Sequence, residues 1–399
     1  MVEMMPRPVT STLLMALLAM GWAAGTPAQD AIAPAPAFYP DQPDCRVKSV
    51  QKLPTTFESP AKSPTSDAVA VSEPAADGVY QIYMVRGGAR SCISCTPRAG
   101  GPRVDRNKMM VSWHPSGQWL VVGVEENTHG NSWMPKSWQR GLLQSGIWLN
   151  IWVTTPTGER WYQITDFKKS ATNPSDGFTG TAFTPDGSKA AWAEIVDGNV
   201  FRNHFGIWKL YAAEFRVSPD GDPHFANKKD ITPAGARWVE PGNFSPDGRH
   251  LLISSDIGLR DAQGQDQFAL DVVTGQLQNL TQSPLVWDEH GLYSPNGRKI
   301  SFMSSYPYRG KRDSYKASSL RTEFMLMDAD GSQLQQLTHF NVPGYPESQP
   351  KRTVAAVAAF IGDGSQLFAT VMATDYSFTK TNWTITFEGP CGGQSRPLK

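Results

Sequence analysis

An all-β fold is expected of this 399-residue chain, on three observations. A turn-and-strand unit recurs, "FSPDGRHLLISS" (244–255) being followed by "YSPNGRKISFMSS" (293–305). A second, hairpin-like unit stands between the copies, as in "FALDVVTGQLQNLT" (268–281). Glycine (35), proline (31) and tryptophan (13) are abundant, a composition that suits many short strands joined by tight turns better than it suits helices.

The first segment reads as an export signal. Residues 1–28 carry Arg7 ahead of an apolar run from Leu13 to Ala24 and end in the small residues Thr26, Pro27 and Ala28, the layout of a cleavable secretory peptide. That run is too short for a membrane span, and no later stretch approaches the roughly 20 apolar residues a span needs. Basic and acidic side chains balance at 37 each, so no overall field draws the chain to nucleic acid. Residues 29–56, which include the Pro/Ala-rich "APAPAFYPDQPD" (33–44), are read as a linker and closing segment, and 57–399 as one repeat domain.

Degenerate copies of the first unit begin at Trp113 ("WHPSGQWLVVGVE"), Phe183 ("FTPDGSKAAWAE") and Phe360 ("FIGDGSQLFATV"). The five starts are 70, 61, 49 and 67 residues apart, which means a fixed unit with insertions. In "SPDG" the proline fixes φ, the aspartate bonds to backbone beyond it and the glycine takes a positive φ, so two strands fold back on each other. The second unit recurs as "IWVTTPTGERWYQIT" (151–165) and "FMLMDADGSQLQQLT" (324–338). Together the two hairpins make a four-stranded antiparallel sheet that is apolar on both faces and cannot fold alone in water. Repetition in a ring buries every face, which is a β-propeller. Six blades are expected if residues 78–97 and 382–391 belong to different blades; five or seven are the alternatives.

The motifs F-S-P-D-G-x-x-[LI] and x-D-x-x-T-G-x-x-x-x-L-T, spread over residues 78–390, resemble the WD-like repeat of TolB-type propellers, found in periplasmic TolB proteins and in the N-terminal propellers of prolyl oligopeptidases. The resemblance implies a six-bladed ring. Two departures bear on function. About 50 residues separate the export signal from the strand-like "VYQIYMV" (79–85), which leaves no room for TolB's separate N-terminal domain. There is also no G-x-S-x-G nucleophile turn of a peptidase.

Four cysteines in an exported chain point to disulfides, and the spacing alone leaves three pairings open. Propeller rings are closed by strands from the two chain ends. Cys45 and Cys391 are therefore expected to be bridged, with Cys92 and Cys95 either paired locally or reduced.

Strands a to d run outward in such a blade, so the a–b and c–d turns share one face and the b–c and d–a connections share the other. Two long b–c insertions, 127–146 and 305–322, are aromatic and basic. They are expected to place Trp133, Trp138, Tyr306, Tyr308, Arg309 and Arg312 exposed around a binding rim, and replacing 305–322 by a Gly-Ser turn is expected to leave the ring folded. Two d–a connections, "WVEPGNFSPDG" (238–248) and "WDEHGLYSPNG" (287–297), share W-x-E-x-G-x-aromatic. Glu240, Glu289 and His290 are therefore expected near the axis, as ligand-binding residues or as partners of neighbouring donors. His114 takes the serine slot of its turn. "DADG" (328–331) lacks the downstream glutamate of an EF-hand and is read as a turn.

No catalytic set, metal or other cofactor is expected. The sequence reads as a periplasmic or secreted, non-catalytic propeller serving as a binding or scaffold module, with an envelope or extracellular protein, peptide or carbohydrate as partner. Neither a nucleic-acid partner nor a membrane span after signal removal is expected. The alternative is a polysaccharide lyase or hydrolase with its site at the channel mouth. Oligogalacturonate lyases are similar propellers that hold a metal there through several histidines, and His290 alone stands at that region here.

Overall fold

The computed structural model describes residues 45–54, 60–126, 141–167, 176–197, 206–259, 263–311, 314–374 and 380–391. Among them are six four-stranded antiparallel sheets, the six blades of a propeller. The first contains β2 (Ala61–Lys62), β3 (Val69–Pro74), β4 (Tyr80–Arg86) and β5 (Ala89–Cys92); the second β6 (Lys108–Trp113), β7 (Leu120–Glu125), β8 (Leu149–Thr154) and β9 (Trp161–Gln163). The third is β10 (Phe178–Phe183), β11 (Lys189–Asp197), β12 (Ile207–Val217) and β13 (Pro223–Asp230); the fourth β14 (Val239–Phe244), β15 (His250–Ser255), β16 (Asp266–Asp271) and β17 (Leu277–Asn279). The fifth is β18 (Asp288–Tyr293), β19 (Lys299–Ser304), β20 (Glu323–Asp328) and β21 (Gln335–Gln336). Residues 78–97 thus belong to the first blade and 382–391 to the sixth.

The sixth blade draws on both ends of the chain. Its inner strands are β22 (Thr353–Ile361), β23 (Gln366–Ala373) and β24 (Lys380–Phe387), and its outermost strand is β1 (Val47–Lys52), paired antiparallel with β24 through Val50 and Ile385. This closing strand lies inside the 29–56 segment. Cys45 and Cys391 form a disulfide beside it, with Cα atoms 4.7 Å apart and both residues fully buried. Cys92 and Cys95 form the second disulfide.

The middle strands carry the burial that makes a lone blade unstable. In His250–Ser255 only the first residue is not fully buried, and Asp266–Asp271 and Lys299–Ser304 are buried throughout. Such strands have no solvent face, so their polar residues are buried too and find partners there, Asp266 accepting from the Thr281 hydroxyl and Lys299 pairing with Asp328.

Each residue of the recurring turn has a task. In blade 4 the amide of Gly248 donates to the Ser245 carbonyl (2.8 Å), Arg249 donates its amide to Asp247 Oδ1 (3.0 Å) and His250 its amide to Ser245 Oγ (2.9 Å). The set repeats at Thr184, Asp186 and Gly187, and again at Ser294, Asn296 and Gly297. The glycine also meets the turn of the preceding blade. A Cβ on Gly187 would lie 2.5 Å from the His114 ring, and one on Gly297 2.7 Å from Pro246. His114 is thus an inter-blade contact, its Nε2 lying 2.9 Å from the Gly187 carbonyl oxygen. The first blade's turn is "KSPTSDA" (62–68), which lacks the glycine and so escaped the motif.

Gly187→Ala is expected to destabilise the protein by about 2–4 kcal/mol, because a left-handed backbone and a ring collision add. Gly275, also at positive φ but with nothing within 4 Å of an added Cβ, is expected to cost about 1–2 kcal/mol on the same change. Urea unfolding of the two variants side by side checks this; equal losses would mean that the inter-blade contact contributes nothing.

The second motif closes blades 2 to 5. Asp271 Oδ1 accepts the amides of Val273 and Thr274 in the c–d turn (2.9 and 3.0 Å). The threonine of the terminal Leu/Ile-Thr turns back onto strand c: Thr281 Oγ1 accepts the Gln267 amide, Thr338 Oγ1 that of Phe324, and Thr165 Oγ1 that of Ile151. The segment 328–331 is such a turn, with Asp330 Oδ1 accepting the Ser332 amide.

Candidate functional site

The innermost strands line the channel. Four residues before the aromatic that opens each "SPDG" unit stand Met109, Thr179, Glu240, Glu289 and Ala356, one per blade from the second to the sixth. Strand pairing confirms the equivalence for blades 2 to 5: Met109 faces Gly123, Thr179 faces Ala193, Glu240 faces Ser254 and Glu289 faces Met303 across the a–b pair. In blades 2, 3 and 5 the strand bulges at the next position, whereas in blade 4 Pro241 still pairs with Ile253 and in blade 6 the bulge falls on Ala356 itself. His290 occupies it in blade 5 with φ 57°, Gly180 in blade 3 with φ 59° and Met110 in blade 2 with φ 53°.

The shared W-x-E-x-G signature follows from this geometry. Trp238 and Trp287 are buried, the Trp238 amide donating to Asp256 Oδ1 and that of Trp287 to Ser305 Oγ. The glycines let adjacent strands approach: a Cβ on Gly242 would lie 2.0 Å from the Gly291 carbonyl oxygen. The glutamates then line the channel in register.

His290 joins three blades. Its Nδ1 donates to the Ala356 carbonyl of blade 6 (2.7 Å), and its Nε2 lies 3.3 Å from Glu240 Oε2 of blade 4. Glu289 approaches the opposite ring edge, its Oε2 4.0 Å from Nδ1 and accepting the Trp287 indole N–H at 2.8 Å. Glu240 Oε1 accepts the Thr179 hydroxyl of blade 3 (2.7 Å). Burial by itself would weaken the imidazole's hold on a proton, but the charges of Glu289 and Glu240, with the bonds to Glu240 and Ala356, outweigh it and hold the pKa at about 10. For Glu240 burial acts upward, yet the imidazolium and its hydrogen bond, helped by Thr179, hold the carboxyl below its ordinary range. Glu289 goes the other way: burial and the Glu240 charge push it up against the pull of His290.

Among the described residues, Glu240, Glu289 and His290 are the one trio of His, Cys, Asp or Glu whose ligand atoms all lie within 4.8 Å of one another. The ring stands between the carboxylates, each nearest a different nitrogen. Such an arrangement holds an ion-paired imidazolium. Nε2 would be the nitrogen facing a cation, since Nδ1 is committed to a carbonyl.

The blade 5 insertion folds over the same end of the channel. Leu320, with Tyr315 and Ala317 partly buried, packs against Trp287, Met303 and Val354. Its backbone is tied to blade 4 through Ala317 N and Gln263 Oε1 (3.0 Å) and to the blade 6 entry through the Ser318 carbonyl and Arg352 (2.6 Å). Insertion and W-x-E-x-G connection therefore share a face.

The expected rim of exposed tyrosines is corrected. Tyr306 and Tyr308 are each only 4% exposed. They sit on a 3-10 turn, Tyr306–Tyr308, that points Tyr306 into the blade 4–5 core beside Leu252 and Phe302, while the Tyr308 hydroxyl donates to Glu323 Oε1 (2.5 Å). Replacing 305–322 wholesale would thus remove core side chains, and the expectation that the ring survives it is withdrawn. Arg309 is exposed, its guanidinium lying 3.9 Å from the Tyr306 ring centroid. Trp133, Trp138 and Arg312 lie outside the described residues. Thr179 and the Ala356 carbonyl were not singled out from sequence; aligning the chain on the aromatic of each repeat would have found both.

Asp288, next to Glu289 in the chain, belongs to a buried acidic pair with Asp266. The Ser283 hydroxyl lies against both Asp266 and Asp288, which are about 1% exposed. Burial and the Asp266 charge push Asp288 up to about 7, against hydrogen bonds from Ser283, Ser304 and Thr281. A carboxyl raised in the folded state favours folding when protonated, so this contribution falls as pH rises from its ordinary range near 4 through about 7. Asp288→Asn is expected to raise the melting temperature above neutral pH and to leave it nearly unchanged near pH 5. A variant less stable at both pH values would show that the carboxylate is needed in its charged form.

No protein-family model matches the chain, and no curated protein aligns with it. Similarity to solved structures is confined to chain path. TolB from Acinetobacter baumannii superposes with a TM-score of 0.45 at 15% identity, over 81% of this chain and 64% of that one. A puromycin-hydrolysing peptidase of Mycobacterium tuberculosis gives 0.46 at 12%, over 88% and 56%. The oligogalacturonate lyase of Vibrio parahaemolyticus gives 0.44 at 9%, over 84% and 78%. This chain therefore spans less than two thirds of the first two.

Proposed function

We propose that this propeller is an exported, non-catalytic binding module, periplasmic or secreted, that captures a protein, peptide or carbohydrate on the face bearing the blade 5 insertion and the Glu240–His290–Glu289 cluster. One observation carries the reading. Both nitrogens of His290 are engaged, and its pKa of about 10 keeps it protonated at neutral pH, so it has no lone pair with which to act as a base. A catalytic imidazole is poised near the working pH instead.

Around this centre, Arg309 and Lys311 are exposed on the insertion, each set against a buried tyrosine ring. Arginine beside an aromatic face is a frequent binding anchor. Export is supported by the leader-like residues 1–28, which lie outside the described residues, and by the two disulfides. Among the described residues no helix is long and apolar enough to cross a membrane.

The test is binding of purified protein to peptide and oligosaccharide arrays, compared between wild type, Arg309→Ala/Lys311→Ala, and Arg249→Ala on the opposite, tight-turn face. Loss of about tenfold or more in affinity with the first variant alone is expected for one lost anchor. Bond cleavage in a polysaccharide panel, abolished by His290→Ala, would overturn the reading in favour of a lyase or hydrolase.

A further inference from the structure

The two disulfides differ in every respect that decides what a disulfide does. Cys45–Cys391 spans 346 positions and is wholly buried, so no thiol reaches it in the folded ring. Cys92–Cys95 spans three positions, Cys92 ending the outermost strand of blade 1 and Cys95 standing exposed in the bend that follows it. A bridge that short constrains the unfolded chain far less than the other. Nor does it hold the strand in place, because β5 is already paired with β4 from Ala89 and Arg86 to Cys92 and Tyr83.

The residues between the cysteines are the anchored ones. Ile93 is buried in the blade 1–2 core and donates its amide to the Ile82 carbonyl (2.9 Å). Its carbonyl packs so closely on Gly158 that a Cβ there would lie 2.0 Å away. Ser94 is buried too, its Oγ accepting the Ile82 amide (2.9 Å) and donating to Gln81 Oε1 (2.7 Å). Opening the S–S bond therefore leaves the segment pinned and both sulfurs placed to close again.

The surroundings of Cys95 favour its anion, the form in which it leaves a mixed disulfide. Residues 86–106 hold five arginines against one acidic residue, Asp105. The Arg90 guanidinium lies 3.8 Å from the Tyr83 ring centroid while pairing with Glu73, and the Tyr83 hydroxyl lies 4.0 Å from Cys95 Sγ. Positive charge and a hydroxyl donor beside a sulfur stabilise its anion.

We propose that Cys92–Cys95 is a surface site for thiol–disulfide exchange, whose substrate is a thiol: a low-molecular-weight thiol or the dithiol of a partner protein. An incoming thiolate attacks the exposed Cys95 Sγ. A new S–S bond forms as the old one breaks, and the electron pair leaves on Cys92 Sγ, which takes a proton from water. With a dithiol partner, its second thiolate attacks the partner's own sulfur in the mixed disulfide and releases Cys95 as thiolate. The partner is then oxidised by two electrons and this protein reduced by two.

The whole protein is equilibrated in graded glutathione buffers, alkylated and mapped by mass, with a parallel arm using a thioredoxin-type dithiol protein. Cys92 and Cys95 are expected to open while Cys45–Cys391 stays closed and cooperative unfolding is retained. In Cys92→Ser, glutathione disulfide should trap a mixed disulfide at Cys95 about tenfold faster than at Cys92 in Cys95→Ser, as accessibility requires. Reduction by the dithiol protein at concentrations where glutathione is inactive would identify a protein partner; reduction by both would identify small thiols as sufficient. Opening of both bridges only together on unfolding, or equal trapping at the two cysteines, would overturn the proposal.

Discussion

Cys391→Ala is expected to cost about 4–6 kcal/mol, the largest loss from any single substitution considered for this fold, because the bridge to Cys45 closes a loop of 346 positions and the entropy of an open chain grows with loop length. The geometry adds a second reason. Cys45 lies two residues before the outer strand of blade 6 and Cys391 follows the strand it pairs with, so the bond fixes the register of Val47–Lys52 on Lys380–Phe387. Both cysteines also lie in the apolar cluster containing Phe324, Leu337 and Trp383, so reduction leaves buried thiols without opening the site to water. The measurement is urea unfolding of wild type, Cys391→Ala and Cys45→Ala. The two variants should agree within error, since each removes the same bond. A loss under about 1 kcal/mol would show that strand pairing alone closes the ring.

His290→Gln is expected to cost about 2–4 kcal/mol near neutral pH, at the lower side of what breaking a buried charge network costs because the imidazole side chain is 32% exposed. Glutamine can still donate to the Ala356 carbonyl, but it brings no charge, so Glu240 and Glu289 are left facing each other without the cation between them. The sign of the pH dependence separates this from a packing defect. A histidine whose pKa is raised to about 10 stabilises the fold fully below its ordinary range near 6.5, and loses that contribution as pH rises toward 10. The gap between wild type and His290→Gln should therefore be widest near pH 6 and narrow steadily toward pH 10. A gap independent of pH would mean that shape, not charge, places histidine there. An imidazole seen by NMR to titrate between pH 6 and 7 would also undo the argument against catalysis.

Much of the ring was legible because its cause is local. A four-residue turn with Ser, Pro, Asp and Gly in fixed slots satisfies its own backbone donors, and those contacts hold in every blade where the motif is intact. The first blade was the hardest to see for the same reason. Its turn at 62–68 has no glycine, and its innermost strand is two residues long. The equivalence of Glu240 and Glu289 could be read from W-x-E-x-G, since equal spacing from equal turns gives equal depth in the channel. What became of those carboxylates could not. The Thr179 hydroxyl that donates to Glu240 and the Ala356 carbonyl that fixes the His290 ring between the carboxylates come from neighbouring blades, 61 and 66 positions away from Glu240 and His290.

The tyrosines of the insertion show the limit most clearly. "SYPYRGKRDSYK" reads as an exposed basic loop because arginine and lysine dominate it, and composition reports only an average over a segment. A 3-10 turn at Tyr306–Tyr308 separates the two chemistries, directing the rings inward and leaving Arg309 and Lys311 in solvent. By itself the sequence determined the all-β class, the repeating unit and its turns, and the alignment of the two channel glutamates, since each depends on residues within one hairpin. The tertiary structure decided the closing of blade 6 by Val47–Lys52, the charge state of His290 and the burial of Tyr306 and Tyr308. Each of those depends on what another blade brings within a few ångströms, and no local pattern encodes it.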